Sequence, residues 1–168
     1  MLKGLFTRQT QPAESLYRAI VAQARHVPFY AEWQVPDTVD GRFDMITLLM
    51  FAVLHRLKDE PDKKLSQDLI DVFFTDMDMS LREMGVGDLT VGKKVRKIAE
   101  SFYGRVDAYR KTLGTGGETL AEAVARNVFA GTDPTHAPAL ASWLNGTLTH
   151  LEQQDASDLA AGRITFPQ

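Results

Sequence analysis

At 168 residues the chain is sized for one domain, and 44% hydrophobic with 24% charged residues excludes whole-chain disorder. The absence of cysteine removes disulfides, thiolate zinc sites, iron–sulfur clusters and covalent c-type haem attachment together. A net charge of −3 argues against general electrostatic affinity for nucleic acid, so any anionic partner would need a local basic patch.

Residues 1–11 read as a loose arm with two basic residues and no apolar stretch of signal-peptide length. The arm is too short, and too poor in Arg and Ser, for a mitochondrial presequence, which makes the bacterial cytoplasm the expected location. Pro12 suits the first turn of a helix, where its missing N–H would have had no partner. That helix is expected to run to His26, with Leu16, Ile20 and Ala24 at four-residue steps, and to stop before Pro28. PFYAEW, residues 28–33, reads as a short helical turn whose three aromatic rings pack on the core.

Pro36 and Gly41 punctuate the stretch 34–44, QVPDTVDGRFD, in which Asp37, Thr38 and Asp40 could all cap the helix that follows. An N-cap at Thr38 or Asp40 is worth about 1 kcal/mol. From Met45 to Leu54 only Thr47 is polar. Phe43, Met50, Leu54 and Leu57 share one helical face, while Met45, Leu48, Leu49 and Ala52 carry apolar surface round to the other. A helix that is apolar nearly all round must be covered on several sides. The run falls short of the roughly 18 apolar residues of a bilayer span. Arg42, Asp44, His55 and Arg56 also argue against lipid as its solvent.

Lys63–Met84 is the next predicted helix, with Ile70, Phe73, Met77, Leu81 and Met84 on one stripe and Asp68, Asp71 and Asp78 turned away from it. Asp76 falls on a second, partly apolar edge, where it is expected to pair with an Arg or Lys of a neighbouring helix or of another protein. Gly85 suits the left-handed conformation of a helix C-terminus. Thr90–Leu113 has the clearest amphipathic pattern, through Val91, Val95, Ile98, Phe102, Val106, Tyr109 and Leu113. Its other face carries Lys93, Lys94, Arg96 and Lys97 in the first turns, where the helix dipole disfavours cations. Ser101, Gly104 and Ala108 follow as a strip of small residues.

LGTGGET, residues 113–119, is a connector by composition. Helices are expected from Leu120 to Phe129 and from Ala139 to Gln153, with a short one capped by Asp155 or Ser157 and ending at Ala161. The fold class is therefore all-α: a single-domain bundle of six to seven helices over residues 12–162, packed round the apolar helix at about 40–58, with a tail at 163–168.

Catalytic chemistry finds little support. DMDMSLREMG resembles a calcium loop only until Leu81 and Gly87 occupy the positions that require Gly and a bidentate Glu. Asp76 and Asp78, two apart on a helix, point about 200° away from each other and cannot share a proton. His26, His55, His136 and His150 show no metal-ligand spacing, and Walker, G-x-S-x-G and G-x-G-x-x-G motifs are absent. Neither an enzyme nor a bound metal or cofactor is expected.

PFYAEWQVPDTVDGRFDM, followed by DMDMSLREMGVGDLTVGKKVRKIAESFYGR, resembles the ubiquinol–cytochrome c chaperone family in a bacterial form. The resemblance spans about residues 13–150 and is strongest at 28–59 and 71–113. It implies an all-helical, non-catalytic assembly factor for the cytochrome bc1 complex. Such a factor would bind newly made cytochrome b or another bc1 subunit at the cytoplasmic face of the inner membrane. It also implies a small helper protein, contact with the ribosome and peripheral membrane association. The leading segment here is shorter than in the family's mitochondrial members.

A chaperone needs a docking surface rather than a pocket of tuned acids. Three features offer one: Asp37, Asp40, Arg42 and Asp44; Asp76, Asp78, Arg82 and Glu83; and Lys93, Lys94 and Lys97 with Ser101, Gly104 and Ala108. They are expected to form one partner-binding surface. Two rival readings use the same residues or the same core. One is a ribosome- or RNA-associated module using the lysines, marked by steep salt dependence. The other is a haem or lipid carrier with a pocket against the central helix.

Overall fold

Local chemistry sets where each helix starts and stops. The computed structural model describes residues 10–168. Along it run α1 (Gln11–Ala24), α2 (Val27–Ala31), α3 (Val39–Leu57), α4 (Lys64–Glu83), α5 (Asp88–Thr112), α6 (Leu120–Val128), α7 (Ala137–Glu152) and α8 (Ala156–Ala160). α2 and α8 have five residues each, and the described residues contain no strand. None of these helices is long and apolar enough to cross a membrane. Of the arm expected over residues 1–11, residues 1–9 lie outside the described residues, and Gln11 already belongs to α1.

Prolines 12, 28 and 138 sit in the first turns of α1, α2 and α7, where no helical N–H is lost. Thr38, not Asp40, caps α3: its hydroxyl accepts from the Gly41 N–H at 3.0 Å. Asp37 instead pairs with Arg42 on the surface at 2.8 Å. α4 closes on Gly85 at φ +86°, with Val86 N–H donating to the Leu81 carbonyl and Gly85 N–H to that of Arg82. That pairing is a Schellman closure. α6 opens on a reciprocal capping box between Thr119 and Glu122, a T-x-x-E signature that lies unread at the end of the connector.

α3 packs against α1, α5, α6 and α7, while α4 is held between α1 and α5 and α6 lies on α7. Met45, Leu48, Leu49, Met50, Ala52 and Val53 of α3 are all fully buried. Each large side chain taken out of water contributes about 1.5–3 kcal/mol. Rings cluster round this helix: Phe73 meets Phe102 at 4.7 Å and Tyr17 at 6.3 Å between centroids, and Phe29 meets Trp143 edge-on at 4.8 Å. At its C-terminal end Arg56 donates to the carbonyls of Leu151 and Gln154, each at 3.0 Å, and pairs with Glu60. The end of α3 is thereby fastened to the turn between α7 and α8. The tail at 163–168 carries no helix, yet Ile164 and Phe166 pack on the core and Thr165 N–H donates to Gln154.

Two expectations about α4 need correction. Among the described residues Asp76 has no ion-pair partner; it accepts a hydrogen bond at 2.7 Å from the hydroxyl of Tyr17 on α1. Met84, placed on the core stripe by periodicity, is 59% exposed, because α4 extends past the helices that cover it, and Leu69 is buried instead.

Asp44 is the one charged side chain within the buried part of α3. Its Oδ1 lies 2.7 Å from Arg105 Nε of α5, with the N–H not aimed along that line, so this is a charge pair more than an aligned hydrogen bond. Phe43, one residue earlier, presents its ring 5.5 Å from the same guanidinium. Burial pushes the Asp44 carboxyl up to about 6, and Arg105 pulls the other way. The folded protein therefore holds a proton there that the unfolded chain has released. This group's contribution to stability is complete below about pH 4 and is lost as pH rises through about 6. A carbon-detected NMR titration should place the Asp44 transition near pH 6, and Arg105→Gln should move it higher.

Gly41 has a different constraint. A Cβ there would stand 1.9 Å from the Pro36 carbonyl oxygen and 2.9 Å from its carbon. Gly41→Ala should therefore lift the 34–38 loop from α3 and lower stability by about 1–3 kcal/mol in thermal or denaturant melts. Gly104 is exposed mid-helix, and a Cβ there would have no neighbour within 4 Å. Gly104→Ala should raise stability by about 0.5–1 kcal/mol in the same melts.

Candidate functional site

The first turns of α3 mix Val39 and Phe43 with Asp40, Arg42 and Asp44, and their outer side is not covered by another helix. There a groove of about 1010 Å³ opens between the 36–44 segment, the C-terminal half of α4, the middle of α5 and the end of α6. Its apolar wall comes from Val39, Phe43 and Ile46 of α3, Met77, Leu81 and Met84 of α4, and Ile98 of α5. Periodicity explains this. Met77 and Leu81 lie one turn apart on α4, and Ile98 lies one turn before Phe102, so each sits at the margin of a stripe whose centre is in the core.

Charges rim the groove and lie on its floor. Asp40, Arg42, Glu83 and Lys97 line it at exposed positions, and the Asp44–Arg105 pair lies below. Arg105 also donates to the Ser101 hydroxyl, so α3 and α5 are joined through a single guanidinium. Thr132 and Asn127 complete the lining from the α6 side.

The structure thus gathers Asp40, Arg42, Asp44, Glu83, Lys97 and Ser101 round one groove and leaves the other expected residues elsewhere. Asp37 is taken up by Arg42 and Asp76 by Tyr17. Asp78 and Asp88 both pair with Arg82 on the surface. Gly104 and Ala108 line a separate depression with Asp107, Lys111 and the 116–118 turn. Lys93 and Lys94 stand exposed, and neither has an ion-pair partner among the described residues.

Arg105 is the residue that periodicity did not single out. Its signal was present: Asp44 is an acid in an apolar helix and requires a cation, and Arg105 stands one turn after Ser101. The groove contains no catalytic arrangement of the kinds considered above, and none of the four histidines lines it. Among the described residues no three His, Asp or Glu side chains group as a metal site. An apolar trough with a charged rim can hold an apolar chain segment whose flanks are polar.

Comparison with known proteins gives consistent relatives. The chain is 23% identical to ubiquinol-cytochrome-c reductase complex assembly factor 1 of Xenopus laevis, over 86% of its own length and 74% of the frog protein. It is 24% identical to the Homo sapiens protein of that name and 27% identical to the mitochondrial protein CBP3 of Saccharomyces cerevisiae. It spans only 50% of the human chain and 44% of the yeast chain. The crystal structure of the Cbp3 homolog from Brucella abortus is 38% identical, with a TM-score of 0.84 over 95% of this chain and 91% of that one. A family model described as Ubiquinol-cytochrome C chaperone matches residues 31–166, which takes in every wall of the groove, and the chain belongs to that family.

Proposed function

We propose that the chain is a non-catalytic assembly chaperone for the cytochrome bc1 complex, and that its groove holds an apolar segment of newly made cytochrome b. Family membership supports the first part, together with relatives named as assembly factors of ubiquinol–cytochrome c reductase. The observation that carries the second is the groove itself. Val39, Phe43, Ile46, Met77, Leu81 and Ile98 all line it, and none of the four histidines does.

The mechanism follows from that geometry. A membrane protein before assembly presents apolar helix faces that water drives together. A trough of side chains already fixed by the core offers those faces an alternative at little ordering cost. Arg42, Asp40, Glu83 and Lys97 at the rim would meet the polar residues at the ends of such a segment and limit which segments fit. Release needs only a better-packed partner, so no bond is made or broken. The 38% identity to the Brucella abortus chain supports a bacterial setting; work at the cytoplasmic face of the inner membrane is part of the proposal.

Affinity capture from detergent-solubilised membranes, probed for cytochrome b, tests this reading. Met77→Gln with Ile98→Gln should lower recovery at least about tenfold, since each removes roughly 1–1.5 kcal/mol of apolar contact. Both side chains are only partly buried against the core, so stability in thermal melts should fall by no more than about 1–2 kcal/mol and the double variant should stay folded. Recovery equal to the parent's from a folded double variant would refute the groove as the holding site.

A further inference from the structure

The floor of the groove holds more polar chemistry than a purely apolar guest would need. Tyr109 stands one turn after Arg105 on α5 and is fully buried, its ring centroid 5.6 Å from that of Phe51. Its hydroxyl is sealed from water and has no hydrogen-bond partner among the described residues. Asn127 of α6 lies beside that hydroxyl and is half-buried in the wall of the groove. Its Nδ2 is sealed in the same way and also lacks a partner. The hydroxyl proton therefore meets an amide nitrogen that cannot accept it, which is a costly arrangement inside a protein.

A half-turn of the Asn127 amide removes both faults. Oδ1 then accepts from the Tyr109 hydroxyl, and the two N–H bonds of Nδ2 point into the groove. Arg105 supplies a second donor there. Its Nε faces Asp44 and its Nη1 donates to Ser101, but Nη2 has no partner among the described residues, and the side chain is 23% exposed.

We infer that Asn127 and Arg105 form a polar reading point in the groove that takes a main-chain carbonyl oxygen of the guest, with Tyr109 as the positioning residue that turns the Asn127 amide outward. A carbonyl oxygen has two lone pairs and can accept from both donors. A carboxylate suits the place poorly, because Asp44 already balances Arg105 and Asp40 stands one turn away on α3. An apolar segment brings free carbonyls wherever its helix ends, since the last four have no partner of their own. The groove then selects a segment by where its helix stops as well as by its apolar face. This inference rests on the groove reading above.

Capture of cytochrome b from detergent-solubilised membranes separates the two. Asn127→Leu is close in size and adds apolar surface, so a groove that is only apolar would hold its guest as well or better. The reading point requires the opposite, a loss of about tenfold in recovery. Full recovery by Asn127→Leu alongside loss by Met77→Gln with Ile98→Gln would overturn this inference and leave the groove reading standing. Full recovery by both variants would overturn both. The free protein gives a measurement that needs no guest. Nitrogen-15 NMR should show the Asn127 Nδ2 protons exchanging with water as readily as exposed amides do. Tyr109→Phe should move their shifts toward those of an unrestrained asparagine, which a packing role for the ring would not. Protons protected from exchange, or shifts unmoved in Tyr109→Phe, would each overturn the assignment.

Discussion

A helix with apolar side chains on every side has no face it can leave in water, and α3 is such a helix. Met45, Leu48, Leu49, Met50, Phe51, Ala52 and Val53 point all round the axis and are all buried, so α1, α5, α6 and α7 must each supply a surface. The polar groups that α3 does carry then act as fasteners. Thr38 closes its first turn, Arg56 ties its last turn to carbonyls at the α7–α8 turn, and Asp44 reaches Arg105 on α5. Each removes a freedom that apolar packing, being non-directional, would leave.

The groove is where that coverage ends. Phe43 and Ile46 are only partly enclosed because α4 and α5 contact the first turns of α3 through the margins of their own apolar stripes. A bundle packed for stability alone would fill the gap with larger side chains. Keeping it open leaves apolar area in contact with water at a cost of about 25 cal/mol per Å². That cost is recovered when another apolar surface fills the space, which gives the surface and its occupant a common driving force.

The helices were legible because each has its own start and stop. Pro12 and Gly85, and the repeats at Leu16, Ile20 and Ala24, place boundaries within a residue or two of those seen. Periodicity also found the core faces of α3 and α5. It failed where a side chain's environment depends on where a neighbouring helix ends. Met84 continues its stripe perfectly well, but α4 outruns its cover. Asp76 was legible as a partly buried acid that needed a partner, whereas a tyrosine 59 residues earlier could not be named from spacing. The expected binding residues divided for the same reason. Lys94 and Lys97 lie one turn apart on α5, and only the second meets the 36–44 segment and α4 across a gap. Gly104 had suggested close approach by another chain, and within this one nothing comes near it.

Asp44 has one further effect. It keeps a sliver of hydration, 5% of its surface, on the floor of the open groove. Any guest that roofs the groove with hydrocarbon strips that last hydration away, and the carboxylate then holds its proton more tightly. Loading and protonation must therefore favour one another, whichever comes first. With the groove filled as proposed, Asp44 would draw in hydrogen ion at a pH just above 6 and release it on emptying, so local acidity in that range would tilt the balance between holding a guest and letting it go.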